Sequence, residues 1–397
     1  MKVCFETFGC RLNKAEALQM EAEYLAKGWE TTSKHSDADL IVVRGCSVTA
    51  RAQYDCEKLI SHLKRRYPTV QLRICGCIKS GSNASKFKGL KASLRSDRQA
   101  SEPSSPQAIP TRTARAYLKA QDGCAGKCTF CIVPSFRGES KSEDFTGLLD
   151  RARRFIEAGY HEIVITGCNL SLYASQGKRL PDLLAALADL DAGCRIRLGS
   201  LEPGSCAIET IRAMAEHPNV CRFLHLPVQS GANEVLLAMR RPYVAKDVDE
   251  AVNLATGLMP GIGLGCDLMT GFPGETDLDF AATKGLLKRL PFSNAHIFPF
   301  SERSGTLAAG FPRSIPKDIR SQRARALAAD IASKRDKFAK SFIGKTVEIV
   351  VEDEKTGRGW TGEYLPCEPA CGTYVRKSLV RIAVTASKGD LLRGRPL

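Results

Sequence analysis

"QDGCAGKCTFCIVP" occupies residues 121–134 and places Cys124, Cys128 and Cys131 within eight positions. A Cys-x3-Cys-x2-Cys run is short enough for one loop to wrap three corners of a cubane iron–sulfur cluster. Four thiolates saturate such a cluster and leave an electron carrier. Three leave one iron with an open coordination position, which is what a catalytic metal needs. The run lacks the fourth, proline-followed cysteine of the bacterial ferredoxins. Zinc is the weaker reading, because no histidine or fourth cysteine stands at the usual spacing. Phe130, just before Cys131, can shield a cluster or pack beside a bound adenine.

The loop follows "ARAYLKAQ" (114–121), the first of six strand-like runs. The others are "HEIVITG" (161–167), "RIRLGS" (195–200), "RFLHLPVQ" (222–229), "GIGLGCDLMTG" (261–271) and "NAHIFPFS" (294–301). Helical stretches such as 145–158, 206–216 and 232–240 separate them. This alternation predicts a six-stranded partial β/α barrel, two strands short of the closed form, with its site at the C-terminal strand ends. Histidines within strands, His225 and His296, read as satisfied core residues. Arg240 and Arg241 read as a solvated helix end, within reach of RNA phosphate.

Upstream, residues 1–78 alternate "KVCFETF", a helix over 13–28 ending at Gly28, "ADLIVVRGC", a helix over 50–67 stopped by Pro68, and "VQLRICGC". A βαβαβ order predicts a parallel sheet with helices on its faces. Cys10, Cys46 and Cys77 each follow one strand. Ligands collect beyond the carboxyl ends of parallel strands, so these three cysteines are expected to converge on one rim. Residues 79–113, rich in Ser, Gly, Pro and basic side chains, read as an edge and linker. Past a charged helix over 316–340, the runs "TVEIVVED", "TGEYLPC", "TYVRKS" and "VRIAVTAS" predict a small β-barrel of the OB type. The expected domains are 1–110, 111–340 and 341–397.

The chain has 397 residues, sixteen cysteines and a formal net charge of +15. Nothing approaches the ~18 apolar residues of a membrane span, and the start has no signal-peptide layout. A reducing cytoplasm then favours thiols or metal ligands over disulfides. Cys4, Cys56, Cys194, Cys206, Cys221 and Cys266, scattered through periodic segments, read as small buried hydrophobes. The positive charge favours a polyanionic partner such as RNA.

Cys-x3-Cys-x-aromatic-Cys after the first strand of such a barrel resembles the radical S-adenosylmethionine (radical SAM) superfamily. "TFGCRLN", "GCSVT", "CGC", "EIVITGCNLSLY", "RIRLGSLEP", "FLHLPVQSG", "MRRPY", "TGFPGETDLDF" and "FPFSERSGT" extend the likeness to the radical SAM methylthiotransferases across nearly the whole chain. That resemblance implies an N-terminal domain holding a 4Fe-4S cluster through Cys10, Cys46 and Cys77. It implies a barrel whose 4Fe-4S cluster sits on Cys124, Cys128 and Cys131, and a C-terminal TRAM domain that binds RNA. One S-adenosylmethionine methylates a sulfur on the first cluster; another, on the open iron of the second, yields a 5′-deoxyadenosyl radical that takes hydrogen from the substrate. Thr166, Gly167, Asn169, Ser200, Glu202, Gln229 and Gly271 stand where relatives meet S-adenosylmethionine. Gly167 also fits a turn glycine and Glu202 a structural ion pair.

"FGCRLN" with "YLKAQDGC" is closest to the branch that converts N6-threonylcarbamoyladenosine, beside the tRNA anticodon, to its 2-methylthio form. N6-isopentenyladenosine in tRNA or a ribosomal protein aspartate is the alternative substrate. An iron–sulfur electron carrier or a non-catalytic RNA-binding protein is the alternative class. The reaction also implies an electron donor such as flavodoxin or ferredoxin, and a sulfur donor. Three departures from the family pattern stand out: Arg44-Gly45 in place of Asn-Thr, a short Ser-rich stretch after Cys77, and "GWTGEYLPC" at the TRAM start.

Overall fold

A computed structural model describes residues 1–78 and 113–397. The expected linker, the Ser-rich stretch after Cys77 and the 110/111 boundary lie outside these residues. The chain divides into two compact units: Met1–Arg112 with Gly123–Ala125 and Cys131–Glu139, and Thr113–Asp122 with Gly126–Phe130 and Ser140–Leu397.

In the first unit the chain runs β1 (Lys2–Thr7), α1 (Arg11–Ala26), β2 (Glu30–Thr31), β3 (Leu40–Cys46), α2 (Ala50–Arg66) and β4 (Gln71–Cys77). The strands pair in parallel in the order β2-β1-β3-β4. Every residue of β3, "LIVVRGC", is buried, as a central parallel strand covered on both faces requires. Thr49 caps α2 by accepting from the Ala52 N–H at 3.2 Å. Lys64, Arg65 and Arg66 in its last turn complement the helix dipole. Gly28, at φ +79°, provides the left-handed turn after α1. The two-residue edge strand β2 carries too short a pattern for sequence periodicity to register. The short α3 (Val133–Arg137) also belongs to this unit.

The second unit holds β5 (Ala116–Lys119), β6 (Gln121–Asp122), β7 (Lys141–Ser142), α4 (Phe145–Glu157), β8 (Glu162–Thr166), β9 (Ala174–Ser175), β10 (Lys178–Arg179), α5 (Leu180–Ala188), β11 (Arg195–Arg197), α6 (Ser205–Glu216), β12 (Phe223–Gln229), α7 (Asn233–Ala238), α8 (Ala245–Leu258), β13 (Gly263–Thr270), α9 (Asp277–Arg289), β14 (Asn294–Pro299) and α10 (Lys317–Lys340). Six parallel strands form the barrel wall, as two sheets ordered β11-β8-β5 and β12-β13-β14. The bridges Ile196↔Val220 and Ser200↔His225 join them.

The chain then forms β15 (Thr346–Val351), β16 (Gly359–Thr361), β17 (Pro366–Pro369), β18 (Leu379–Lys388) and β19 (Leu391–Pro396). They close in the order β15-β16-β17-β19-β18, a five-stranded barrel of the OB kind. Two details differ from expectation. "TGEYLPC" is not one strand but the end of β16, a turn over 362–365 with Tyr364 at φ +67°, and the start of β17, and "TYVRKS" is a loop with Lys377 at φ +76°. Aromatic and β-branched residues imitate a strand there, but the positive φ values exclude one.

A buried ionic cluster joins the small barrel to the strands that precede it in the second unit. Glu162 receives Arg197 Nε at 2.7 Å and is also paired with Arg195. Arg197 and Arg195 donate onward to the carbonyls of Thr361 at 2.8 Å and Trp360 at 3.0 Å. Tyr364 stacks on Phe223 with ring centroids 4.6 Å apart. The departure noted in "GWTGEYLPC" is therefore the segment that seats the small barrel on β8, β11 and β12.

Candidate functional site

Cys46 and Cys77 end β3 and β4 and are partners in register, with both thiols buried. Cys10 ends the β1–α1 connection as the residue before the first turn of α1, and is exposed. Gly9, at φ +88°, lets the chain turn there; a Cβ on it would lie 2.7 Å from Cys46 Sγ. Burial pushes the Cys77 thiol up, Arg137 opposes that push, and Cys10 and Cys46 add to it. The three cysteines therefore share one locality, as their strand-end positions predict.

Sequence reading missed Arg137. Its Nε donates to Cys77 Sγ at 3.1 Å, Nη1 to Glu16 at 2.9 Å and Nη2 to Asn13 Oδ1 at 2.9 Å. Asn13 in turn donates to the carbonyls of Phe8 and Gly45, at 2.8 and 2.9 Å. Arg44, one of the departures, pairs with the same Glu16 and points its other nitrogen at Met20 Sδ, 3.0 Å away. The extra positive charge is thus absorbed locally. In this unit Cys124 is held by its N–H donating to Gly138 O at 3.0 Å. Gly123 precedes it at φ +66°, where a Cβ would meet Glu139 O at 1.9 Å. Cys131 lies just before α3 and is half-buried.

Cys128 belongs to the second unit. Arg241 Nη1 donates to its Sγ at 2.9 Å, and Arg241 also pairs with Glu202. Asn169 Nδ2 donates to the other Glu202 oxygen at 3.0 Å. The structure therefore brings Asn169, Glu202 and Cys128 together through a residue read as a solvated helix end. That reading holds for exposed Arg240 and fails for Arg241, whose side chain is 8% exposed. The intervening turn at Arg240, φ +55°, turns the next side chain inward.

The remaining candidates line the strand ends. Thr166 is buried at the end of β8. A Cβ on Gly167 would sit 2.9 Å from Leu170 and 3.0 Å from Gln121, whose Oε1 accepts from the Asn169 N–H at 2.9 Å. Gln229 ends β12 at φ +64° beside a register shift, a strained conformation of the sort concentrated at sites. Gly271 is at φ +69° and its N–H is taken by Glu275 at 3.1 Å. Phe130 packs on the apolar cluster of Ala232, Val235, Met239, Phe272, Phe300 and Ala308. Ser200 hydrogen-bonds His225 Nδ1 at 3.0 Å. His225 is buried, with Nε2 3.4 Å from Asp267 Oδ1 and outside hydrogen-bond geometry, whereas the His296 side chain is 58% exposed and so is not a core residue.

Of the cysteines read as packing residues, Cys4, Cys56, Cys194, Cys221 and Cys266 are buried, while Cys206 is half-buried at the start of α6. Among the described residues, no helix is long and apolar enough to cross a membrane.

Cys10, Cys46 and Cys77, gathered within one unit, fit an iron–sulfur cluster on their own chemistry. A guanidinium aimed at a sulfur, as at Cys77 and Cys128, favours thiolate over thiol and is the outer-shell donor such ligands use.

Residues 118–287 match the model of the radical SAM superfamily, and residues 2–93 that of the uncharacterized protein family UPF0004. The chain is 31% identical to the tRNA-2-methylthio-N(6)-dimethylallyladenosine synthase of Bartonella bacilliformis, over 90% of this chain and 87% of that one. It is 28% identical to the threonylcarbamoyladenosine tRNA methylthiotransferase MtaB of Bacillus subtilis, over 98% of this chain and 96% of the relative. In fold it is similar to the radical S-adenosylmethionine methyltransferase TsrM of Kitasatospora setae, with TM-score 0.54 and 13% identity over 78% of this chain and 74% of that one.

Proposed function

The chain belongs to the radical SAM methylthiotransferase family, and on that premise we propose that it places a methylthio group on carbon 2 of N6-threonylcarbamoyladenosine in tRNA. It is a tRNA-modifying enzyme; the choice of adenosine is the finer reading. Cys10, Cys46 and Cys77 would hold one 4Fe-4S cluster, and Cys124, Cys128 and Cys131 a second. When bound, the pair supplies the transferable sulfur and the electron that cleaves S-adenosylmethionine. A one-electron donor such as flavodoxin or ferredoxin and a sulfur donor complete the reaction, in the cytoplasm.

The observation that carries this reading is the in-register pair Cys46 and Cys77, with Cys10 beside them and Arg137 donating to Cys77. An electron carrier would not build a second three-thiol site on a separate sheet. The chain's own residues then do positional work. Glu16 and Asn13 hold Arg137 against Cys77. Glu202 holds Arg241 against Cys128 and, with Asn169, presents the polar groups expected to meet S-adenosylmethionine.

The substrate branch rests on the "FGCRLN" stretch and the likeness to MtaB. The dimethylallyladenosine synthase relatives favour the second reading, an N6-isopentenyladenosine in tRNA. Mass spectrometry of tRNA nucleosides from a deletion strain separates the two. Loss of 2-methylthio-N6-threonylcarbamoyladenosine supports the first; loss of the isopentenyl form overturns it in favour of the second. Anaerobic reconstitution is expected to give about eight irons per chain, as two cubanes require. About four irons would exclude the two-cluster assignment.

A further inference from the structure

Three side chains on adjacent strands meet away from either cysteine trio. His225 is on β12, Asp267 on β13 and His296 on β14. Asp267 and His296 are partners in register, and His225 is paired with Gly265, which shares a face of β13 with Asp267. Gly265 makes the room: a Cβ there would lie 2.8 Å from His225 Cδ2 and 2.8 Å from Phe223. Asp267 Oδ1 lies 3.1 Å from His296 Nδ1 and 3.4 Å from His225 Nε2. The three donor atoms all fall within 4.8 Å of one another.

We propose that His225, Asp267 and His296 form a divalent transition-metal site that takes zinc. Ligand atoms ~2.0–2.2 Å from a tetrahedral zinc stand ~3.3 Å from one another, and the carboxylate stands 3.1 and 3.4 Å from the two ring nitrogens. The orientation of His225 is the second argument. Its ring is 91% buried, with 9% of the side chain exposed, yet Nε2 has no hydrogen-bond partner. Nε2 stands 3.4 Å from the carboxylate. With Nδ1–H donating to the Ser200 hydroxyl, 3.0 Å away, the Nε2 lone pair and the carboxylate lone pairs face one another, an arrangement a bound cation satisfies. A hydrogen bond on the far ring nitrogen is how metal-bound histidines are held in the right tautomer.

The surroundings suit such a site. His225 is wedged between Phe223 and His296, with ring centroids 6.5 and 5.4 Å apart, which fixes its plane. Exposed His296 gives the ion a route in. Imidazole and carboxylate together suit zinc better than magnesium or calcium. Three protein ligands leave the fourth tetrahedral position for water or an oxygen or nitrogen donor of the substrate.

The test uses the full-length protein with its cysteine trios loaded, freed of loose metal by a chelator and then titrated with zinc alone. About one zinc per chain beyond the iron is expected by elemental mass spectrometry. Its K-edge spectrum should show nitrogen and oxygen at ~2.0–2.1 Å and no sulfur at ~2.3 Å. His296→Gln, a change at an exposed position, and Asp267→Asn should each lose the zinc and keep the iron. Ser200→Ala should weaken binding ~10–100-fold, as loss of an outer-shell partner does. No zinc bound, zinc retained in both ligand variants, or sulfur scatterers at the zinc would overturn the site and leave a hydrogen-bonded triad only.

Discussion

Arg241 stands with Nη1 2.9 Å from Cys128 Sγ while the same guanidinium grips Glu202 and the Tyr243 hydroxyl. Three acceptors of different shape share one planar fork, which a lysine point charge cannot serve. Arg241→Lys and Arg241→Met are both expected to cut anaerobic, dithionite-dependent S-adenosylmethionine cleavage ~10–100-fold. Cleavage at the parental rate in the lysine variant would show that charge alone suffices.

Arg137 makes the corresponding contact with Cys77 in the other unit. Arg137→Met should leave S-adenosylmethionine cleavage intact and lower methylthiolated tRNA ~10–100-fold. Electron paramagnetic resonance of the reduced protein should show one cluster signal altered and the other unchanged. Equal loss of both activities would contradict the separation of roles.

Glu162 is fully buried beneath Arg195 and Arg197. Glu162→Gln strands two buried guanidiniums and should cost ~3–5 kcal/mol, read from the urea midpoint. Burial works to raise this carboxyl, but the arginines win and hold it far below the usual carboxylate range. Its folded value therefore lies below its unfolded one, ~4.3. The stabilisation is complete at neutral pH and is lost as pH falls below ~4, so the midpoint difference between parent and variant should shrink there.

Thiol reactivity should divide the cysteines by environment. Burial pushes Cys56, Cys194 and Cys367 up to about 12, and Cys221 to about 11. Exposed Cys371 has no such shelter. Brief iodoacetamide treatment of the native protein at pH 8, followed by peptide mass spectrometry, should label Cys371 and spare those four. Early labelling of Cys221 would mean that the seat of the small barrel opens readily.

The barrel was legible because six strand-like runs alternate with helices, and the shared locality of Cys10, Cys46 and Cys77 because each follows a strand of one parallel sheet. What escaped was set by side-chain reach. Arg137 ends the short α3 and Arg241 follows the turn after α7; nothing in spacing says that either bends back onto a sulfur. Glu162 and Arg197 carry no signal of their own in β8 and β11, since an ion pair buried across strands has no sequence period. His225 and His296 were assigned to a satisfied core, and only pairing register shows that Asp267 lies between them. "TYVRKS" failed in the opposite way, by strand-like composition on a backbone with positive φ.

The five strands of the C-terminal barrel close on one another, β18 returning to β15. A closed ring has no free hydrogen-bonding margin, so no incoming strand can be stitched onto it. Whatever this module grips, it must grip with side chains and loops, and its recognition is open to change one residue at a time without disturbing the ring beneath.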